Sequence, residues 1–425
     1  MKVLIKKAKI LSPSSSLNGQ ISNILIENGF ITEISNAVDT TADQVVECDD
    51  LHVSPGWMDC FANFCDPGQE YKETLETGAI AAAAGGFTRV MVMPDTKPPV
   101  DTKSQVDYII QKSHTLPAAI SPVAAITKGC KGTELAEMYD MFQSGAIAFS
   151  DGLHPVQSTG MLHKALQYLL AIDATIIQLP DDKSLAPGGP MNEGVVSTRL
   201  GLQGKPALAE ELLVARDIEL SKYTGGKIHL TGISTKKSVE LIAAAKKENI
   251  RVSCSVTPYH LFFSDEDLYS YETNLKVNPP LRTPADREAL REGIKSGIID
   301  FIASHHQPQD WDHKICEFEY AKDGMEGLES VYGAAMISGI TPHEFVKMQT
   351  ENIRRIFNLP TGTITKNEPA NLTLFTVNEK YILQKQDIFS KSSNNAFIGK
   401  TLKGRVIGII NGEKVFLPAL EHSHQ

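Results

Sequence analysis

Long apolar runs are missing from this chain. No stretch approaches the roughly 18 consecutive apolar residues of a membrane-crossing helix. The first residues, Met1 to Ala8, hold Lys2, Lys6 and Lys7 around only Val3, Leu4 and Ile5, so they lack the apolar centre of a secretory signal and read as a strand. Cysteines are sparse as well: six, with no Cys-x-x-Cys pair and no repeated spacing. That excludes a disulfide scaffold and fits reduced thiols in the cytoplasm. An excess of positive charge is also absent. With 41 Lys+Arg against 51 Asp+Glu the net charge is -10, which repels phosphate backbones and makes nucleic acid or an anionic membrane an unfavourable main partner.

What is present is the composition of a globular protein, 42% hydrophobic and 22% charged over 425 residues, enough to bury a large core without cross-links. Short β-rich runs at 2–5, 22–26 and 30–34 are punctuated by Asn18-Gly19 and Asn28-Gly29, the latter a hairpin signal. Similar segments return at Asn371–Val377, Arg405–Ile410 and Lys414–Phe416, with a turn at Asn411-Gly412. One sheet assembled from both termini is the expectation, over 1–51 plus 359–425. The tail Leu420–Gln425 is short and polar and is expected to be disordered.

Between the termini, strand and helix alternate. Strand-like runs fall at Thr88–Met93, Ile120–Ala125, Ala146–Ser150, Ala174–Gln178, Lys227–Leu230, Arg251–Val256 and Ile299–Ala303. Helical patterns such as Glu73–Ala84, Ala209–Ser221, Lys236–Lys247 and Pro284–Lys295 separate them. Counting His52–Val53 as the opening strand gives about eight β-α units and predicts an α/β fold, a parallel TIM-type (β/α)8 barrel over 52–358. Chemistry in such a barrel sits at the C-terminal ends of the strands.

The residues there are informative. They include Asp59-Cys60-Phe61-Ala62-Asn63-Phe64-Cys65-Asp66, Gln69-Glu70-Tyr71-Lys72-Glu73-Thr74, Ala81–Thr88 and Met93-Pro94-Asp95-Thr96. Further on come Ser150-Asp151-Gly152, Lys276-Val277-Asn278-Pro279-Pro280-Leu281-Arg282 and Ala303-Ser304-His305-His306-Gln307-Pro308-Gln309. Over nearly its whole length the chain resembles the dihydroorotase family, in the allantoinase- and hydantoinase-like branch of the amidohydrolase superfamily. The resemblance implies an amidohydrolase-type barrel with a discontinuous β-sandwich. It also implies hydrolysis or closure of a cyclic amide, dihydroorotate to carbamoyl-aspartate, on one or two zinc ions.

The residues that would carry that chemistry are replaced. The family's Asp-x-His-x-His motif is Asp59-Cys60-Phe61-Ala62-Asn63, so its two histidines fall on Phe61 and Asn63. Later zinc-ligand histidines fall on Gln178 and Gly232, and the catalytic Asp falls on His305. The substrate-clamping Arg is Cys65, the Asn of Met-Pro-Asn-Thr is Asp95, and the last His of the strand-eight run is Gln309. Asn278 remains but reads as a loop-shaping residue, and Asp59 as a residue past a strand end that bonds loop backbone. Asp151 and His305 are the residual metal candidates. One carboxylate does not hold a catalytic zinc, so neither metal nor other cofactor is expected.

The resulting reading is a catalytically inactive dihydroorotase-like protein of pyrimidine biosynthesis. As in inactive homologues of the family, it would be a partner of aspartate carbamoyltransferase, and a homo-oligomer, by default a dimer. The competing reading is an active dihydroorotase or other cyclic amidohydrolase. Its new metal site would be built on His305-His306 with Cys60, Cys65 or Asp151, or it would use Cys65 as a nucleophile with His305 as base. A third reading is a sensor of a cationic or neutral ligand. His229 reads as a satisfied core histidine, and the long stretch from Pro180 to Pro206 as a lid or contact surface.

Overall fold

The computed structural model describes residues 1–38 and 40–418; the tail Leu420–Gln425 lies outside the described residues. Two eight-stranded sheets organise the chain. The terminal sheet runs in the order Lys414–Phe416, Val406–Asn411, Asn371–Phe375, His52–Pro55, Lys2–Ile10, Ile21–Glu27, Phe30–Ser35, with Gln44–Val46 also pairing Lys2–Ile10. Its inner face buries Val3, Ile5, Ile10, Ile24, Ile26, Ile31, Leu372 and Ile410 in one apolar cluster. Asn28 and Gly29 both take positive φ (50° and 79°), the backbone that a two-residue hairpin turn requires. This turn abuts the C-terminal one: a Cβ on Gly29 would lie 2.8 Å from the carbonyl carbon of Gly412. Ala370 N–H donates to Gly29 and Gly412 N–H donates to Ala370.

The second sheet is the barrel. Its strands, in chain order and in sheet order, are β1 (Trp57–Ala62), β2 (Phe87–Val92), β3 (Ala119–Ala124), β4 (Ala148–Phe149), β5 (Thr175–Gln178), β6 (Lys227–Leu230), β7 (Val252–Val256) and β8 (Phe301–Ile302). Neighbours are parallel throughout, as a TIM-type barrel requires. The expected opening strand at His52–Val53 is corrected. His52–Pro55 belongs to the terminal sheet, between Lys2–Ile10 and Asn371–Phe375, and the barrel begins at Trp57. Both segments are buried at every position, so neither shows the alternation that would separate them. Gly56 marks the break, where a Cβ would meet Asn371 at 2.0 Å and Thr88 at 2.2 Å.

Trp57 fastens the two sheets together. Its ring packs 4.9 Å from Tyr332, 4.9 Å from Phe345 and 5.1 Å from Phe375, and its indole N–H donates to Ser54 Oγ at 2.8 Å. Outside the barrel, helices begin where the sequence supplies caps. Thr74 Oγ1 accepts from Thr77 N–H ahead of Leu75–Ala84, and Thr283 with Asp286 forms a reciprocal cap ahead of Pro284–Lys295. No helix of the described residues is long and apolar enough to cross a membrane.

Between β8 and β1 side chains and loop backbone complete the ring. The fully buried Asp59 carboxylate accepts from Ser304 N–H at 2.7 Å and Ser304 Oγ at 2.6 Å, and Asn63 N–H donates to His306 O at 2.8 Å. Asp59 therefore lies within β1 rather than beyond its end, and binds the backbone of the opposite strand's loop. Burial pushes its carboxyl up to about 7 against the opposing pull of the Ser304 bonds. Replacing Asp59 by Ala strands two buried donors, and the expected loss is about 2–4 kcal/mol of unfolding free energy. Ser304→Ala, which removes the hydroxyl's bond to Asp59 and the one it accepts from His306 N–H but keeps the Ser304 N–H bond to Asp59, costs less, about 1–2 kcal/mol. Urea unfolding of the two variants checks both the magnitude and the order.

Candidate functional site

The mouth of the barrel is built on a kinked end of β1. Register jumps between Asp59↔Val90 and Ala62↔Val92, a bulge that leaves Phe61 at φ 68°. Cys65 (φ 59°) and His305 (φ 45°) share this left-handed backbone. Each costs a non-glycine residue about 1–2 kcal/mol, so the surroundings hold the mouth in shape. Asn63 Oδ1 accepts from Cys65 N–H at 2.8 Å. Burial pushes the Cys65 thiol up to about 12, and the charges acting on it are those of Lys72, Glu73, Asp95 and Asp66, with no imidazole among them. A thiol in that state is not an activated nucleophile.

His305 fills the centre. Its ring stands 4.7 Å from that of Phe61, and its Cε1 lies 2.6 Å from where a Cβ on Gly232 would be. Gly232 itself has φ 68°, so position 232 combines a backbone suited to glycine with space already taken by an imidazole. His305 Nε2 hydrogen-bonds Thr231 Oγ1 at 2.7 Å. From there a chain of hydrogen bonds runs down the barrel interior: Thr231 to Ser255 (2.9 Å), Ser255 to His229 Nε2 (3.0 Å), and His229 Nδ1 to Ser253 (2.9 Å). His229 is thus bonded at both nitrogens. Burial lowers the His305 imidazole to about 3, and does the same to His229.

The remaining positions are bonded to neighbouring loops. Asp151 accepts from Ile126 N–H (2.9 Å), Thr127 N–H (2.9 Å) and Thr127 Oγ1 (2.5 Å). Gln178 Oε1 accepts from Val156 N–H at 3.3 Å. Asp95 accepts from Leu153 N–H at 3.2 Å while its other oxygen is buried without a partner, and burial raises its pKa. Asn278 Oδ1 accepts from the Lys205 ammonium, which also pairs with Asp181 at 3.0 Å. Gln309 donates from its side chain to Asp323 O and from its backbone to Asn394. The stretch from Pro180 to Pro206 is ordered rather than a bare loop: Met191–Asn192 pairs with Gly204–Lys205 around a helix at Val195–Leu200, and buried Arg282 donates to Asn192 and to Lys205 O.

A zinc ion at the positions implied by the family does not fit this donor set. Phe61 and Gly232 carry no ligand atom, the Asn63 and Gln178 oxygens accept from backbone, and Asp151 is held by three donors. His305 Nε2 is engaged by Thr231. Structural or catalytic zinc needs three or four free ligands on one centre.

A different group does converge, and of its members only His306 was anticipated, with other partners. Ligand atoms of His306, Glu326 and Glu329 lie within 4.8 Å of one another. His306 and His305 therefore do not form a metal pair; they serve different neighbourhoods. The signal available in the sequence was two glutamates three apart, Met325-Glu326-Gly327-Leu328-Glu329, in an otherwise apolar segment.

Comparison with known proteins agrees with this architecture. A family model described as Dihydro-orotase-like matches residues 52–238, and the Amidohydrolase family model matches 190–415. A dihydroorotase of Acetivibrio thermocellus is 40% identical, covering 97% of this chain and 98% of that one. A dihydroorotase of Aquifex aeolicus is 38% identical, covering 98% and 99%. Among solved structures, an L-hydantoinase (dihydropyrimidinase) from Arthrobacter aurescens superposes with a TM-score of 0.85 at 21% identity, over 97% of this chain and 95% of that one. A D-hydantoinase from Thermus sp. gives 0.80 at 19%, over 98% and 95%. These two share the fold.

The depressed His305 value has a measurable consequence. Between pH 6.5 and about 3 the unfolded chain binds a proton that the folded ring refuses. Its contribution to stability is complete above pH 6.5 and is lost as pH falls through that window, by at most about 1.4 kcal/mol per pH unit. In urea unfolding from pH 7 to 4, His305→Asn declines less steeply than wild type. Taking the difference between the two cancels the buried Asp59 and Asp151 carboxyls, whose raised values act in the opposite direction.

Proposed function

Because the chain belongs to the dihydroorotase family of the amidohydrolase superfamily, we propose that it is a member that keeps the fold and has given up zinc-dependent hydrolysis of the cyclic amide. It serves pyrimidine biosynthesis in the cytoplasm as a non-catalytic, oligomeric partner of aspartate carbamoyltransferase. The observation that carries this reading is the packing of His305 over Gly232 and against Phe61. It occupies with carbon and a hydrogen-bonded imidazole the space where a zinc centre of this family would have its ligands. Substrate binding is weakened for a second reason. Cys65 supplies no charge at the position of the guanidinium clamp, and Asp95 places a buried carboxyl nearby. Losing the partner of a desolvated charge costs about 2–5 kcal/mol.

The alternative is an active cyclic amidohydrolase with an altered metal site, and the only converging donor group among the described residues, His306, Glu326 and Glu329, is where its metal would be sought. The two readings separate cleanly. Purified protein, with and without added zinc, is assayed for dihydroorotate hydrolysis and for closure of carbamoyl-aspartate. The expected result is no turnover above buffer in either direction. Turnover that rises with zinc would return the chain to the hydrolases. The partnership is tested by light scattering on a sizing column: addition of aspartate carbamoyltransferase from the same organism shifts the chain into a larger complex. A stable monomer unmoved by the transferase would count against it.

A further inference from the structure

The group around His306 has too much negative charge for its surroundings. Glu73, Glu326 and His306 are wholly inaccessible and Glu329 is 8% exposed. They come from three places in the chain: the loop after β1, the loop after β8, and the segment that leads into the helix Val331–Ile337. Backbone pairing sets that segment beside His306, through a bridge at His306↔Met325 and Gln307 N–H donating to Met325 O. Glu73 is satisfied by Thr77, Ser390 and Lys391 N–H. One oxygen of Glu329 accepts from Phe389 and Ser390 N–H. The other oxygen of Glu329, both oxygens of Glu326 and Nε2 of His306 are buried with no hydrogen-bond partner. Glu73 Oε2 stands 3.4 Å from that Nε2, outside hydrogen-bonding geometry.

Three carboxylates against at most one imidazolium leave about two negative charges in a dry interior, and among the described residues no Lys or Arg pairs with any of the three. Buried charge in that state is resolved by a proton or by a cation. Burial, and then Glu329, push the Glu326 carboxyl well up, so a proton shared between the two glutamates is the rival occupant. The two carboxyls stand close enough for either occupant, and refolding without and with metal distinguishes them. We propose that His306, Glu326 and Glu329 bind one divalent metal ion, with Glu73 as an outer charge. With ligand atoms within 4.8 Å of one another, small side-chain shifts bring all three onto one ion at metal–ligand lengths of about 2.0–2.6 Å, and binding displaces the proton left on His306 Nε2 while Nδ1 accepts from Gly327 N–H at 3.2 Å. An imidazole donor in a site without room for a hydration shell favours Zn2+ or Mn2+ over Mg2+. The ion would be structural, tying the loop after β8 to the segment before Val331. It is independent of whether the mouth retains any chemistry.

The test starts from full-length chain unfolded in urea with a chelator, then refolded with no metal, with Zn2+ alone or with Mn2+ alone. Metal retained through gel filtration is then counted. Wild type is expected to keep one equivalent of either ion and to melt several degrees higher with it. Glu326→Gln, which keeps the shape and removes a charge, should bind at least tenfold more weakly. No retained metal, or equal retention by wild type and variant, overturns the site. If the variant does not fold, anomalous scattering from wild-type crystals grown with Mn2+ decides: a peak among the three side chains supports the site, and no peak or one elsewhere refutes it.

Discussion

A ring of eight parallel strands has to join its first strand to its last, and in this chain a carboxylate makes much of that join. Asp59 on β1 holds both the backbone and the hydroxyl of Ser304 beyond β8. Ser304 Oγ in turn accepts from His306 N–H at 3.0 Å. The two histidines are therefore oriented from the seam outward. His305 is turned over Gly232, and His306 is turned into the carboxylates behind it. Much of what is distinctive about the mouth follows from where this seam places two consecutive residues.

The replaced positions act as a set. Removing a side chain at 232 opens space, His305 takes that space, and Phe61 covers its ring. The polar tip of His305 is then absorbed by Thr231 and, through it, by a hydroxyl–imidazole chain inside the barrel. A side chain restored at 232 alone would meet His305 at 2.6 Å. Recovering a ligand there requires moving His305 as well, because close-packed interiors do not yield one position at a time.

The sequence displayed most of this architecture. Hairpin turns at Asn28-Gly29 and Asn411-Gly412, the alternation of strands and helices, and the missing ligands could all be read from local residue types. What it hid was hidden for physical reasons. His52–Pro55 and β1 are each buried on both faces, so the step from one sheet to the other leaves no periodic trace. Glu73, His306 and the neighbouring pair Glu326 and Glu329 are separated along the chain and meet only through tertiary pairing. Residues such as Asp151, which in the sequence stood as a free carboxylate, turn out to be bonded to loop backbone a strand away.

The terminal sheet also imposes an order on synthesis. His52–Pro55 sits between Lys2–Ile10 and Asn371–Phe375, so during translation it has one neighbour and lacks the other until the far end has emerged. At about 5–20 residues per second, the intervening stretch of roughly 320 residues takes about 15–60 s. Throughout that interval a strand destined to be buried on both sides is an open edge on the nascent chain, while the barrel forms beside it. The piece made first is the piece finished last.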